Sequence, residues 1–171
     1  MLGGAAFVLP EPAASQDDRL DPAELEGAWI LASRSAEATI DAAITRVTDQ
    51  MDLIARPIAQ SRIDDAVNPE HRIAFDGDAE AIRITLDDWG PVEVHPGGPA
   101  RRVRASDGTP LTVRARLRAE CLVLQQRAED GARVSFFSPD GERLTMVARV
   151  QSEQLPRDIV YRLPYRRAGR R

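Results

Sequence analysis

The longest periodic apolar pattern lies in residues 35–63, SAEATIDAAITRVTDQMDLIARPIAQSRI. Ile40, Ile44, Val47, Met51, Ile54 and Ile58 recur at steps of four, three, four, three and four. That spacing places them on one face of a helix, with Asp41, Arg46, Asp49 and Asp52 elsewhere. Ser35 has the chemistry of an N-cap, and Glu37 suits the positive end of the helix dipole. Pro57 lacks a backbone donor, which predicts a kink or break near Arg56 and a short second helical segment beyond it. Upstream, Asp21-Pro22-Ala23-Glu24 has the ingredients of a helix start and delivers the chain to a first strand around Gly27-Ala28-Trp29-Ile30-Leu31.

After His71 the period changes to two. Apolar–polar alternation marks strands over 72–75, 81–86, 92–95, 102–105, 111–118, 121–127, 133–137, 143–151 and 159–165. Asp76-Gly77, Asp107-Gly108, Asp130-Gly131 and Asp140-Gly141 punctuate them, and Asp and Gly tolerate the positive φ of tight hairpins. The pattern predicts a mainly β chain: one antiparallel up-and-down β-barrel or strongly curved meander of about eight to nine strands. The amphipathic helix enters after the first strand as a lid. Residues 1–24 read as a tail, 25–167 as the barrel domain and 168–171 as a C-terminal tail.

Alternation also assigns faces. Leu111, Val113, Ala115 and Leu117 oppose Thr112, Arg114, Arg116 and Arg118, and Leu144, Met146, Ala148 and Val150 oppose Arg143, Thr145, Val147 and Arg149. The wet face carries the arginines; the other must be covered, by closing the sheet into a barrel or by gripping the helix. The residues expected to point inward, and so to line any internal cavity, are Ile82, Ile84, Val113, Ala115 and Val134, then Phe136, Met146, Ala148, Ile159 and Tyr161. Such a lining, nearly without polar groups, suits an apolar small molecule of fatty-acid or terpenoid type, and equally a filled core.

Charge narrows the partners. The net charge of −4 gives no electrostatic basis for binding nucleic acid or an anionic membrane surface. All 23 basic residues are arginine, which fits the base composition of a GC-rich genome better than phosphate recognition. Rows of arginine on the outer strand face are solvated and discourage edge-to-edge pairing. The first residues, MLGGAAFVLPEPAASQ, pair a short apolar run with the small residues Ala13-Ala14-Ser15, as an export signal does, so a periplasmic or secreted location is expected. The run is too short to span a bilayer, and no cysteine follows it to carry a lipid anchor.

Catalytic and metal chemistry lacks a constellation in the sequence. His71 and His95 have no second ligand at metal-binding spacing, and Cys121, in an apolar run, reads as a small core residue. Asp76, Asp78 and Glu80 have the spacing that opens a calcium loop, but the later glycine and closing glutamate are missing. Asp87-Asp88 reads as a solvated turn pair. The expectation is a protein that is not an enzyme and holds no cofactor or metal.

The combination of Gly27-Ala28-Trp29 on a first strand, a helical insertion and an antiparallel meander resembles the calycins, the superfamily of lipocalins and fatty-acid-binding proteins. The resemblance implies that Gly27 and Trp29 form the Gly-x-Trp motif, with the indole beneath an arginine from the end of the chain, either Arg162 or Arg166. The closing stretch, with Phe137-Ser138-Pro139-Asp140-Gly141-Glu142-Arg143, Leu155-Pro156-Arg157 and Tyr165-Arg166-Arg167, resembles secreted bacterial lipocalin-like proteins. Two functional readings follow: a carrier of an apolar ligand inside the barrel, or an interaction subunit of an envelope assembly docking through its N-terminal tail or helix.

Overall fold

The computed structural model describes residues 19–52, 63, 67–87 and 89–169. Ten strands form a single antiparallel sheet: β1 (Gly27–Leu31), β2 (Arg72–Gly77), β3 (Ile82–Leu86), β4 (Trp89–Val94), β5 (Arg101–Arg104), β6 (Pro110–Leu117), β7 (Leu122–Arg127), β8 (Ala132–Asp140), β9 (Arg143–Gln151) and β10 (Ile159–Arg167). Their order is β4-β3-β2-β1-β10-β9-β8-β7-β6-β5, so first and last strands pair and the meander rolls into a nearly closed barrel. The count exceeds the expected eight to nine, and the helix follows β1 as expected. Among the described residues, no helix is long and apolar enough to cross a membrane.

Between β4 and β5 no backbone ladder forms. Side chains bridge the seam instead. The Trp89 indole donates to the Arg104 carbonyl (2.8 Å), and Arg101 donates to the Glu93 carbonyl (2.9 Å) while ion-pairing with its carboxylate (3.5 Å).

The inward rows are Ile82, Ile84 and Leu86 on β3, Val113 and Ala115 on β6, Leu144, Met146 and Ala148 on β9, and Ile159, Tyr161, Leu163 and Tyr165 on β10, all buried. Strand β8 corrects the expectation. Phe137 pairs with Met146 and Ser135 with Ala148, so Arg133, Ser135 and Phe137 face inward. Val134 and Phe136 pair with Arg149 and Val147 on the outer face and are only half-buried. The tight turn after Asp140 sets this register, and residues directly opposite in an antiparallel pair share a face.

The turn glycines divide by role. Gly77, Gly108 and Gly141 have φ of +125°, +87° and +59°, the region left open to glycine. Gly131 does not; there an added Cβ would meet the Gln151 carbonyl oxygen at 2.5 Å, so close strand approach excludes a side chain.

Helix α1 spans Ala36–Thr48, ending well before Pro57. The amides of Asp49, Gln50 and Met51 close the last turn onto Thr45, Val47 and Thr48. Thr48, Asp49 and Asp52 are poor helix formers, and the two acids oppose the dipole at that end. Ile40, Ile44 and Val47 are buried and the helix packs on β10, whereas Met51 lies past the helix end and is half-buried. Ile54, Pro57 and Ile58, and with them the expected kink, lie outside the described residues. Ser35 stands at the N-cap position without a side-chain cap bond; at φ −108°, ψ 24° its hydroxyl lies against Ser33 Oγ instead (3.2 Å).

The packed body begins earlier than residue 25. Asp21 caps a 3-10 turn over Pro22–Glu24, accepting from the Ala23 amide, and Leu20 and Leu25 join the core. The Leu20 amide donates to the Arg118 carbonyl in the β6–β7 turn.

Candidate functional site

All strands are adjacent antiparallel neighbours, so the turns gather at two ends. One end carries the starts of β1, β7 and β9 and the end of β10. It is plugged by the 3-10 turn. Trp29 is buried, and its Nε1 donates to the Leu25 carbonyl (2.8 Å). The arginine across its ring is Arg167, with the guanidinium carbon 4.2 Å from the ring centroid. Arg167 also donates to the carbonyls of Glu26 and Glu24. Arg162 and Arg166 are exposed on the outer face, because inward positions of β10 are odd-numbered: 159, 161, 163, 165 and 167. Gly27 has φ +107°, which favours glycine, and lies beside Arg167.

The opposite end is open. The β3–β4, β5–β6, β7–β8 and β9–β10 connections surround a cleft of about 900 Å³. Leu86, Trp89, Leu111, Val150 and Leu155 supply apolar wall, with Ile63 and Val67 from the connection between α1 and β2. None of the ten residues expected to line a cavity lines this cleft. Eight of them, from Ile82 to Tyr161 without Val134 and Phe136, are buried in the packed barrel. The lid residues Ile40, Ile44 and Val47 also lie away from it, on β10.

The cleft floor is polar. Arg133 on β8 makes a two-pronged ion pair with Glu70: Nη1 to Oε1, and Nη2 to Oε2 at 2.9 Å. Both side chains are largely buried (16% and 10% exposed), the setting in which geometry must be good for a pair to offset desolvation. Burial alone would drive the guanidinium's pKa down, but the facing Glu70 carboxylate holds it above its ordinary value. Tyr165 donates to the Glu70 backbone carbonyl (2.8 Å), anchoring the segment before β2 to β10. Burial, then Glu70, push the Tyr165 phenol upward; burial does the same to Tyr161, which lies beside Arg133. Three buried atoms here have no hydrogen-bond partner: Arg133 Nε, Tyr161 Oη and the side-chain oxygen of Gln126, the residue paired with Arg133 across β7 and β8.

Sequence reasoning missed Glu70, Arg133 and Gln126. The signal was available for Arg133. Once Met146 and Ala148 face inward, the turn at Asp140-Gly141 puts residues 133, 135 and 137 on the same side.

The remaining candidates disperse. His71 precedes β2 and His95 follows β4, at opposite ends of the barrel. Asp87, expected as a solvated turn acid, accepts from the amides of His71 (2.9 Å) and Arg72 (2.7 Å) and fixes the start of β2. Asp78 accepts from the Glu80 and Ala81 amides, and these bonds hold its carboxyl below the usual value. Asp76 pairs with Arg83 (3.5 Å). Cys121 is half-buried in the β6–β7 turn, its thiol pushed up by burial.

No protein-family model matches the sequence, and no curated protein sequence does. Solved structures do match in three dimensions. A structure described as the REP1-NXSQ fatty acid transporter aligns over 87% of this chain and 99% of its own, with TM-score 0.54 and 14% identity. Fatty-acid-binding protein 1 of Echinococcus granulosus aligns over 86% and 99% (TM-score 0.52, 10% identity). The Schistosoma mansoni fatty-acid-binding protein, in complex with arachidonic acid, aligns over 85% and 97% (TM-score 0.50, 16% identity). Barrel topology, the helix after β1, the Trp29–Arg167 plug and these alignments together give the chain a calycin-like fold, of the kind seen in fatty-acid-binding proteins.

Proposed function

We propose that this protein is a non-catalytic carrier that binds a small apolar molecule, with an acyl or terpenoid body, at the open end of the barrel. The observation that carries the reading is the cleft of about 900 Å³, a size suited to one small ligand, with Leu86, Trp89, Leu111, Val150 and Leu155 in its wall. Similarity to a fatty acid transporter and to a fatty-acid-binding protein with arachidonic acid bound supports it. The buried inward rows act as the rigid scaffold of the site rather than as its lining. The N-terminal apolar run and Ala13-Ala14-Ser15 support a place of action in the periplasm or outside the cell.

Titration with the neutral fluorophore Nile red tests the carrier role. Saturable uptake at one site per chain is expected, and Ala105→Trp, at the rim of the cleft, is expected to weaken it. Absence of uptake would overturn the carrier reading in favour of a docking subunit. Fractionation of cells expressing the full chain tests export, the expected result being recovery outside the cytoplasm.

A further inference from the structure

Resting on the reading of the mouth as a ligand site, we infer that the ligand's polar end is an uncharged hydroxyl and not a carboxylate. Charge in the cleft carries the first part of the argument. Among the described residues lining it, Arg133 is the sole cation, against the carboxylates of Glu70, Asp87, Asp107 and Asp130. That one cation is already committed, since Glu70 occupies both terminal nitrogens of its guanidinium. An anionic head entering here adds a negative charge to a neutral buried pair within an acidic rim, or must evict Glu70. Eviction is opposed by the anchoring of the segment itself. Tyr165 holds the Glu70 carbonyl, and Val67 and Pro69 are buried beside it.

The unpartnered atoms carry the second part. Gln126 Oε1 accepts and Arg133 Nε donates. Gln126 and Arg133 are a cross-strand pair in the cleft lining. A hydroxyl matches this pair in both senses, donating to Gln126 while accepting from Arg133. A carboxylate only accepts, and would set its oxygen against that of Gln126. Buried polar groups left unmatched penalise the wrong ligand more strongly than a small change in apolar contact does.

Displacement of Nile red by oleyl alcohol and by oleate, at neutral pH, separates the possibilities. The alcohol is expected to compete at a concentration about tenfold or more below that of oleate. In Glu70→Gln, which releases the Arg133 charge while keeping side-chain shape and the Tyr165 bond to the backbone, oleate is expected to gain about tenfold and the alcohol to change less than about threefold. Gln126→Leu removes the unpartnered acceptor of the lining and is expected to weaken the alcohol about fivefold while changing Nile red uptake less than about twofold; this variant decides the matter should Glu70→Gln fail to fold. If Nile red is taken up and oleate competes as well as the alcohol, or Gln126→Leu leaves the alcohol untouched, the hydroxyl assignment falls and the carrier reading stands. If no Nile red is taken up, both fall.

Discussion

The two ends of the barrel are made by the same alternating strands, yet they treat inward polar groups in opposite ways. At the plugged end the Trp29 indole finds the Leu25 carbonyl, and Arg167 covers the ring while closing onto Glu24 and Glu26. At the mouth, Arg133 and Glu70 satisfy each other's charge, while hydrogen-bonding capacity on Gln126 and Arg133 is left over. Leftover capacity costs stability, and a fold that only needed to be stable would have filled those positions with leucine. One end holds the barrel together, and the other keeps polar capacity for the ligand proposed above.

The contrast breaks most visibly at Trp29. Trp29→Ala is expected to cost about 3–5 kcal/mol in urea unfolding, while the protein that remains folded binds Nile red as before. Coupled loss of both would show that the ends are not independent. Arg167→Met keeps much of the packing over the indole but removes the cation and its carbonyl contacts. A loss of about 1–2 kcal/mol is expected, again without effect on binding.

The mouth has its own signature at alkaline pH. The folded state raises the pKa of Tyr161 and Tyr165 through burial above the ordinary value of 10.0. The unfolded chain therefore releases these phenolic protons first. Their contribution is fully present below about pH 10 and is lost as pH climbs past it. The thermal midpoint should hold up to that pH and fall beyond it, and Tyr165→Phe should flatten the fall. The smallest stability effect belongs to the rim: Ala105→Trp should change unfolding free energy by less than about 0.5 kcal/mol while weakening probe binding.

How much of this was legible in the chain differs by element. Period-two alternation marked the strands after His71, because burial on one face writes itself directly into sequence, while the plug at Gly27-Ala28-Trp29 was legible only through the resemblance to calycins. The slips were of parity and of charge. Val134 and Phe136 looked inward because they are apolar, but pairing with Arg149 and Val147 places them outside. Arg162 and Arg166 were the wrong parity to meet Trp29, as Tyr161 already implied. Glu70 was invisible, since nothing local shows that an acid after Pro69 meets an arginine 63 positions later. The helix ends at Thr48, where Thr48 and Asp49 interrupt good helix formers and the acid opposes the dipole, a local stop that apolar spacing alone does not register.

The seam between β4 and β5 has a mechanical consequence. Elsewhere, widening the barrel means breaking rows of amide–carbonyl bonds that fail together. At the seam it means parting an indole from one carbonyl and one arginine from one glutamate. Those contacts are few and exposed, and salt weakens the charged one. The circumference is thus adjustable at one line only, and amides of β4 and β5 facing that line should exchange with deuterium ahead of those in the β8–β9–β10 wall.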